Sequence, residues 1–323
     1  MKTALSLAAS PDTILVTHAT RVLGNNAVRL LERAGKRVIA LARSPEQAAR
    51  VLAGSTARVV CLEPGDSEQL AMLLSEADAV IDAVQKPSRE TRTATLDLLR
   101  IADARGVRRF VRLGAPLDAA TRERAAQLSL AVIELHTGWV FGPYDAEPPS
   151  SAANFVIDLI KRRLPLAPPG GVCVVDARDA AFAASVALEL ADDGARYDVA
   201  GLYHTSSELL TILGRVSGVR PPRFAPPYAV ARALAATQQR LARIFGRPSG
   251  LDDETLQMLN EARPISSAKA ECELDAHFRP FAETARDTVH WLLHAGYVHT
   301  AELGVDLEAD IARASTLPME RRP

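Results

Sequence analysis

Along the first 135 positions, short apolar runs alternate with stretches of helical spacing. Ile14 to Val16 reads as a buried strand. Asn25 to Ala34 then places Ala27, Val28, Leu30 and Leu31 on one helical face, and Gly35 stops it. The cycle repeats. Strands are expected at Arg37–Leu41, Ala57–Leu62, Ala77–Val84, Arg108–Leu113 and Leu130–Leu135. Helices fall between them at Pro45–Leu52, Ser67–Ser75 (capped by Asp66 or Ser67) and Arg89–Ala104, which Gly106 closes. Runs such as VVCL and AVID lack clean alternation, as strands covered on both faces do. The spacing predicts an α/β chain with a doubly wound parallel, Rossmann-like sheet and right-handed crossovers.

Beyond the loop Gly138 to Pro143 the pattern changes. Prolines at 148–149, 165, 168–169, 221–222 and 226–227 separate helical segments near 151–163, 178–191, 206–217, 228–245, 252–260 and 281–295. We therefore expect a Rossmann-like domain over 1–145 and a mainly helical substrate region over 146–300, with a few short strands returning to the sheet. A polar tail over 301–323 completes the chain.

Composition narrows the function classes. A net charge of −1 over 323 residues supplies no basic field for nucleic acid or an anionic membrane. No apolar run reaches a membrane-spanning length, and the N-terminus lacks a leader pattern, so cytoplasmic residence is expected. Cys61, Cys173 and Cys272 are odd in number and far apart, which predicts neither disulfides nor a metal set. His290 and His294 are four apart on the last helix, but no carboxylate motif accompanies them; they and His299 are expected at the surface, and no metal site is expected.

The chemistry concentrates in the turn after the first strand, Thr17-His18-Ala19-Thr20-Arg21-Val22-Leu23-Gly24. A dinucleotide-binding turn uses glycines to turn tightly, to admit a pyrophosphate and to seat its helix against the strand. Gly24 holds the last of those positions, while His18 and Arg21 occupy the other two.

The stretch TILVTHATRVLGNNAVRLLERAGKRVIALARSPEQ resembles the opening of the extended short-chain dehydrogenases/reductases, the NAD-dependent epimerase/dehydratase family. GVRRFVRL, GWVFGPYD and VCVVDARDAAFAASVALEL extend the likeness. The pieces PPRFAPPYAVARALA, RPISSAKAECELD and AHFRPFAETARDTVHWLLHAGYV are most similar to its dihydroflavonol-reductase and hopanoid-associated branch, so the resemblance runs over roughly residues 13–298. It implies NAD(P) binding and a Ser-Tyr-Lys set that moves a hydride at a sugar or small-carbonyl carbon. That set does not carry over. Leu113-Gly114-Ala115 stands where the serine belongs. Between Gly114 and Leu130 there is neither tyrosine nor lysine, and the segment is too short for the full helix that bears them. Without that pair no positioned acid meets a developing alkoxide.

Several positions remain as candidates. Arg43 matches the residue that reads a 2′-phosphate in NADP-preferring members, and Glu63 falls where the family has an aspartate near the adenine. The plainer readings are a solvated arginine and an exposed turn residue. Asp82 ends the fourth strand facing the presumed crevice, with a helix end or Lys86 as its expected partner. His136, Trp139 and Tyr144 surround the loop where the family places substrate, with Gly114 beside it. His18, Asp82 and His136 are set out as one acid/base group on a single rim. Asp176 and Asp179 match a family segment that caps a helix and ties the two regions together.

The leading expectation is a divergent protein without the redox machinery. It is either a small-molecule-binding pseudoenzyme or a cofactor-independent cyclase, isomerase or lyase, with no cofactor expected. The alternatives are an NADP(H)-dependent reductase or epimerase with His136 or Tyr144 as a relocated acid, and a protein-interaction subunit. A small-molecule ligand is the expected partner, and a homodimer through helices flanking the sheet is possible by analogy with the family.

Overall fold

A computed structural model describes residues 11–63, 65–145, 149–244 and 251–304. The first half runs β1 (Thr13–Val16), α1 (Val22–Arg33), β2 (Arg37–Ala42), α2 (Pro45–Val51), β3 (Arg58–Cys61), α3 (Ser67–Ser75), β4 (Ala79–Val84), α4 (Arg89–Ala104), β5 (Arg109–Gly114), α5 (Ala119–Ala125) and β6 (Ala131–Thr137). There follow β7 (Trp139–Phe141), α6 (Ser151–Ile160), β8 (Gly171–Asp176), α7 (Ala177–Leu190), β9 (Arg196–Val199), β10 (Leu202–Thr205) and α8 (Ser206–Ser217). The chain ends with α9 (Tyr228–Ile244), α10 (Asp253–Glu261), α11 (Ala268–Leu274) and α12 (Phe281–His294). The tail expected over 301–323 lies mostly outside the described residues.

Seven strands form one parallel sheet in the order β3-β2-β1-β4-β5-β6-β9. The fold class is the one the hydrophobic pattern predicts. Strand order reverses between β1 and β4, and in such sheets the crevice at the carboxyl ends of those two strands is where ligands bind. Alternate residues of each strand serve opposite faces. Val16, Ile81, Val111 and Ile133 pack with Leu23, Ala27 and Leu31 of α1 and the alanines of α7. Leu15, Val80, Phe110 and Val132 pack with Leu74 of α3 and Leu98, Leu99 and Ala102 of α4. Both faces being covered explains why the strands read as unbroken apolar runs.

The second region has its own core, in which Trp139, Phe141 and Phe155 meet Leu209, Leu256 and Phe281. A small sheet, β10-β8-β7, runs through it. The segment 138–143, expected as a loop, therefore contains a strand. Three residues are too few for a periodic signal. The strand's entry at Gly138 depends on backbone that is distant in sequence, because a Cβ there would lie 2.4 Å from the Ala200 carbonyl and 2.5 Å from that of Cys173. Asp176 caps α7 by accepting from the Arg178 N–H at 2.8 Å. Asp179 accepts from the Arg279 backbone N–H at 2.9 Å and from its guanidinium at 2.6 Å, which ties the segment before α12 to the Rossmann-like half.

Candidate functional site: the crevice at the tips of β1 and β4

The turn after β1 is pinned before it reaches the helix. The Thr17 N–H donates to the Ile81 carbonyl and the Ala19 N–H to that of Leu41, each at 3.0 Å, so the loop spans the ends of β4 and β2. His18 then takes a left-handed conformation, with φ of +50°. A glycine adopts that conformation freely and a histidine does so at a cost. Its carbonyl accepts from the Arg21 N–H at 2.8 Å. Gly24 packs directly above, where a Cβ would sit 2.3 Å from that same carbonyl oxygen. The backbone of a phosphate-binding turn is thus retained, although two of its glycines are not.

The helix that leaves this turn lacks what the next seven have, as α11 and α12 also do. From α2 to α8 every helix has a capping side chain: Ser44, Asp66, Ser88, Asp118, Ser150, Asp176 and Thr205. α1 begins at Arg21 with no side-chain cap and no acidic residue in its first turn. Its amide groups and positive dipole end face the crevice, a setting that favours an anion. Arg21 is half-buried at this point, and Arg43 stands exposed at the end of β2 with a 3.5 Å contact to Glu90.

Behind the turn lies a buried polar cluster. The Thr17 hydroxyl donates to Asp82 Oδ1 at 2.6 Å, and the Thr95 hydroxyl donates to Oδ2 at 2.9 Å. Arg112 Nη1 lies 2.6 Å from Oδ2, and both of those side chains are almost fully enclosed. Burial alone would push the Asp82 carboxyl up. Arg112 first, then His18 and the two hydroxyls, reverse this and hold it below the usual carboxylate value. His18 Nδ1 is 3.0 Å from Thr17 Oγ1 and 4.0 Å from Asp82 Oδ1. Thr17 spends its proton on Asp82, so in neutral His18 Nδ1 carries the hydrogen and Nε2 keeps a lone pair. Burial lowers the His18 pKa; Asp82 opposes this, and Arg43, Arg112 and Arg21 lower it further. A neutral, oriented imidazole backed by a carboxylate is chemically a base.

The structure brings together His18 and Asp82, keeps Gly24, Arg21 and Arg43 at the same turn, and leaves the remaining candidates elsewhere. Asp82 is paired with Arg112 instead of a helix end or Lys86, and Lys86 pairs with Glu254. His136 does not join the rim. It contacts Glu134 at 3.3 Å and Asp198 at 3.5 Å, and with Lys269 it lines a separate cavity of about 420 Å³ along β9. Trp139 is a core residue, not a substrate contact. Its indole N–H donates to Ser151 and its ring packs edge-on against Phe141 and Phe155. Tyr144 lies under the Arg29 guanidinium of α1, 4.1 Å from ring centre to carbon. Gly114 has a packing reason: φ is +113° and a Cβ would fall 2.4 Å from the Val84 carbonyl. Glu63 is exposed. His290 is half-buried, and His294 bonds back to its carbonyl. Among the described residues no three metal-binding side chains cluster, and no helix is long and apolar enough to cross a membrane.

Reading the residues alone missed Thr17, Thr95 and Arg112. The signal was present in AVIDAV, RRFVRL and LAVIEL, where a charge interrupts each of three neighbouring strands. Register puts Asp82, Arg112 and Glu134 side by side on one face.

Residues 19–134 match a family model described as NAD(P)H-binding. A Synechocystis sp. protein provisionally named a dihydroflavonol 4-reductase is 22% identical over 180 residues, covering 54% of this chain and 52% of the relative. The chain spans about half the length of the curated relatives it matches. A nucleoside-diphosphate-sugar epimerase structure from Pseudomonas aeruginosa superposes with a TM-score of 0.66 at 21% identity, covering 89% of this chain and 99% of that one. UDP-glucose 4-epimerase from Bifidobacterium longum, solved with NAD+ and UDP, gives 0.64 at 15% identity, over 88% and 99%. The chain shares the fold of these epimerase structures. The match to an NAD(P)H-binding model gives no support to the expectation of a chain without a cofactor. The residues present are chemically compatible with one: the uncapped end of α1 and the charges of Arg21 and Arg43 near His18 suit phosphate groups.

Proposed function

We propose that this chain binds a nicotinamide dinucleotide at the tips of β1, β2 and β4. In this reading it acts as an NADP(H)-dependent reductase or epimerase on a small carbonyl or sugar substrate, with His18 as its proton-transfer group. One observation carries the reading. The first turn keeps its left-handed residue and packed glycine, and it opens onto the one helix from α1 to α8 without a capping side chain. The α1 amides and Arg21 would hold the diphosphate, and Arg43 is placed for a 2′-phosphate. The bound nucleotide would supply or accept the hydride. His18, neutral and backed by Thr17 and Asp82, would take a proton from a substrate hydroxyl and return it in the reverse direction. It replaces His136 and Tyr144 in that role because both are engaged outside the crevice.

Titration of the protein with NADPH and NADH, followed by cofactor fluorescence, tests the first half; turnover of small carbonyls and sugar nucleotides tests the second. His18→Gln is expected to keep nucleotide binding and to lose about a hundredfold or more in turnover. Absence of saturable binding of either nucleotide overturns the reading.

A second reading is a small-molecule-binding pseudoenzyme or a cofactor-independent cyclase, isomerase or lyase. It is favoured by α5, which has seven residues and neither tyrosine nor lysine. Nucleotide binding without redox turnover, or a ligand retained in place of nucleotide, would support it.

A further inference from the structure

The short α5 leaves a second space in the molecule. Between α4 and α5, over the end of β5, lies a cavity of about 410 Å³, within the size range of small-molecule sites. Arg112, Thr95, Leu117 and Thr121 form its buried part, and Arg92 stands exposed at its mouth.

Arg112 is the reason to expect a ligand there. Its side chain is 2% exposed. Nε donates to the Ala115 carbonyl at 2.8 Å, and Nη1 donates to Asp82 and to Thr95. Nη2 has no hydrogen-bond partner among the described residues. Nη2 is open to solvent where Arg112 lines the cavity, and a guanidinium presents its donors in a planar fork that suits a carboxylate. Asp82 already neutralises the Arg112 charge and Asp118 offsets that of Arg92, so the two arginines offer directed hydrogen bonds and not an excess of positive charge. The one carboxylate in the lining, Asp118, is committed to the first turn of α5, accepting from the Thr121 N–H and hydroxyl at 3.0 Å each. Leu117 supplies an apolar wall.

We propose that the cavity between α4 and α5 binds a small carboxylate-bearing molecule, its carboxylate held by Arg112 and Arg92 and its apolar body against Leu117. The cavity shares Arg112 and Thr95 with the polar cluster behind the crevice, and the inference does not require that a nucleotide binds at β1.

Benzoate is the probe, with benzamide as its neutral counterpart, measured on the full chain by isothermal titration and thermal shift. Benzoate should bind saturably and raise the Tm, and benzamide should do neither at the same concentration. Arg92→Gln should weaken benzoate about tenfold while leaving the ligand-free Tm unchanged. Arg43→Gln, at the crevice, should leave benzoate affinity intact. The proposal is overturned if benzoate and benzamide behave alike, if benzoate does not bind, or if Arg43→Gln weakens binding and Arg92→Gln does not.

Discussion

Methionine in place of Arg112 would keep much of the buried volume and delete the charge facing Asp82. In the native chain the two groups lie 2.6 Å apart with side chains 2% and 3% exposed, so water cannot substitute for the lost partner. Breaking a buried pair from one side costs about 3–5 kcal/mol. The hydroxyls of Thr17 and Thr95 stay on the carboxylate and bring the expected loss to the lower end, ~3 kcal/mol at neutral pH. Against a usual folding margin of about 5–15 kcal/mol, that is readily measured.

The pH dependence makes the test specific. Native Asp82 is held below the ordinary carboxylate value, so its contribution is present above that value and is lost as pH falls through the depressed one. Without Arg112, burial prevails and the carboxyl titrates above its unfolded value. Protonation then relieves the mutant, and the gap between wild type and Arg112→Met narrows as pH falls from 7 toward 4. Urea midpoints followed by far-UV circular dichroism at several pH values measure this. Adding Asp82→Asn should recover at least half of the loss, because no unpaired charge remains. A gap below about 1 kcal/mol at pH 7, or one that pH leaves unchanged, refutes the reasoning.

Other expectations follow from the same geometry. Gly24→Ala should cost about 1–3 kcal/mol, read as a lowered Tm, because its Cβ meets the His18 backbone carbonyl and no flexible side chain is there to give way. Arg279→Met should cost about 2–4 kcal/mol and speed proteolytic cleavage near α12, since it removes both guanidinium bonds to Asp179 and leaves one backbone N–H to hold the segment; unchanged cleavage would remove the Arg279 side chain as a tie between the regions. Burial pushes Glu134 up, but hydrogen bonds from His136 and Arg122 bring it down to about 2. Its stabilisation is therefore full above the ordinary value near 4.5 and is lost as pH falls toward 2, and Glu134→Gln should flatten the acid limb of a stability–pH curve over that window.

Much of the fold was legible because burial on both faces leaves a local trace. Each strand is an apolar run, each following helix carries an apolar stripe, and glycines such as Gly35 and Gly106 end the helices. The turn was legible too. His18 stands at a glycine position, and the structure gives it a glycine's φ. Trp139 misled because an aromatic in a post-strand loop has the same sequence signature whether it faces a substrate or a core. His136 misled because its position along a strand does not reveal that Asp198, sixty-two residues on, lies beside it in β9.

By itself the chain's order of residues determined the parallel sheet, the placing of His18 and Arg21 in the first turn, and the absence of tyrosine and lysine between Gly114 and Leu130, since each is read from neighbours within a few positions. Tertiary structure alone decided that Asp82 belongs to Arg112, that Thr17 stands between His18 and Asp82, and that a lined cavity lies between α4 and α5. Those outcomes depend on register between strands thirty to sixty-five residues apart, and no local pattern of polar and apolar positions encodes register.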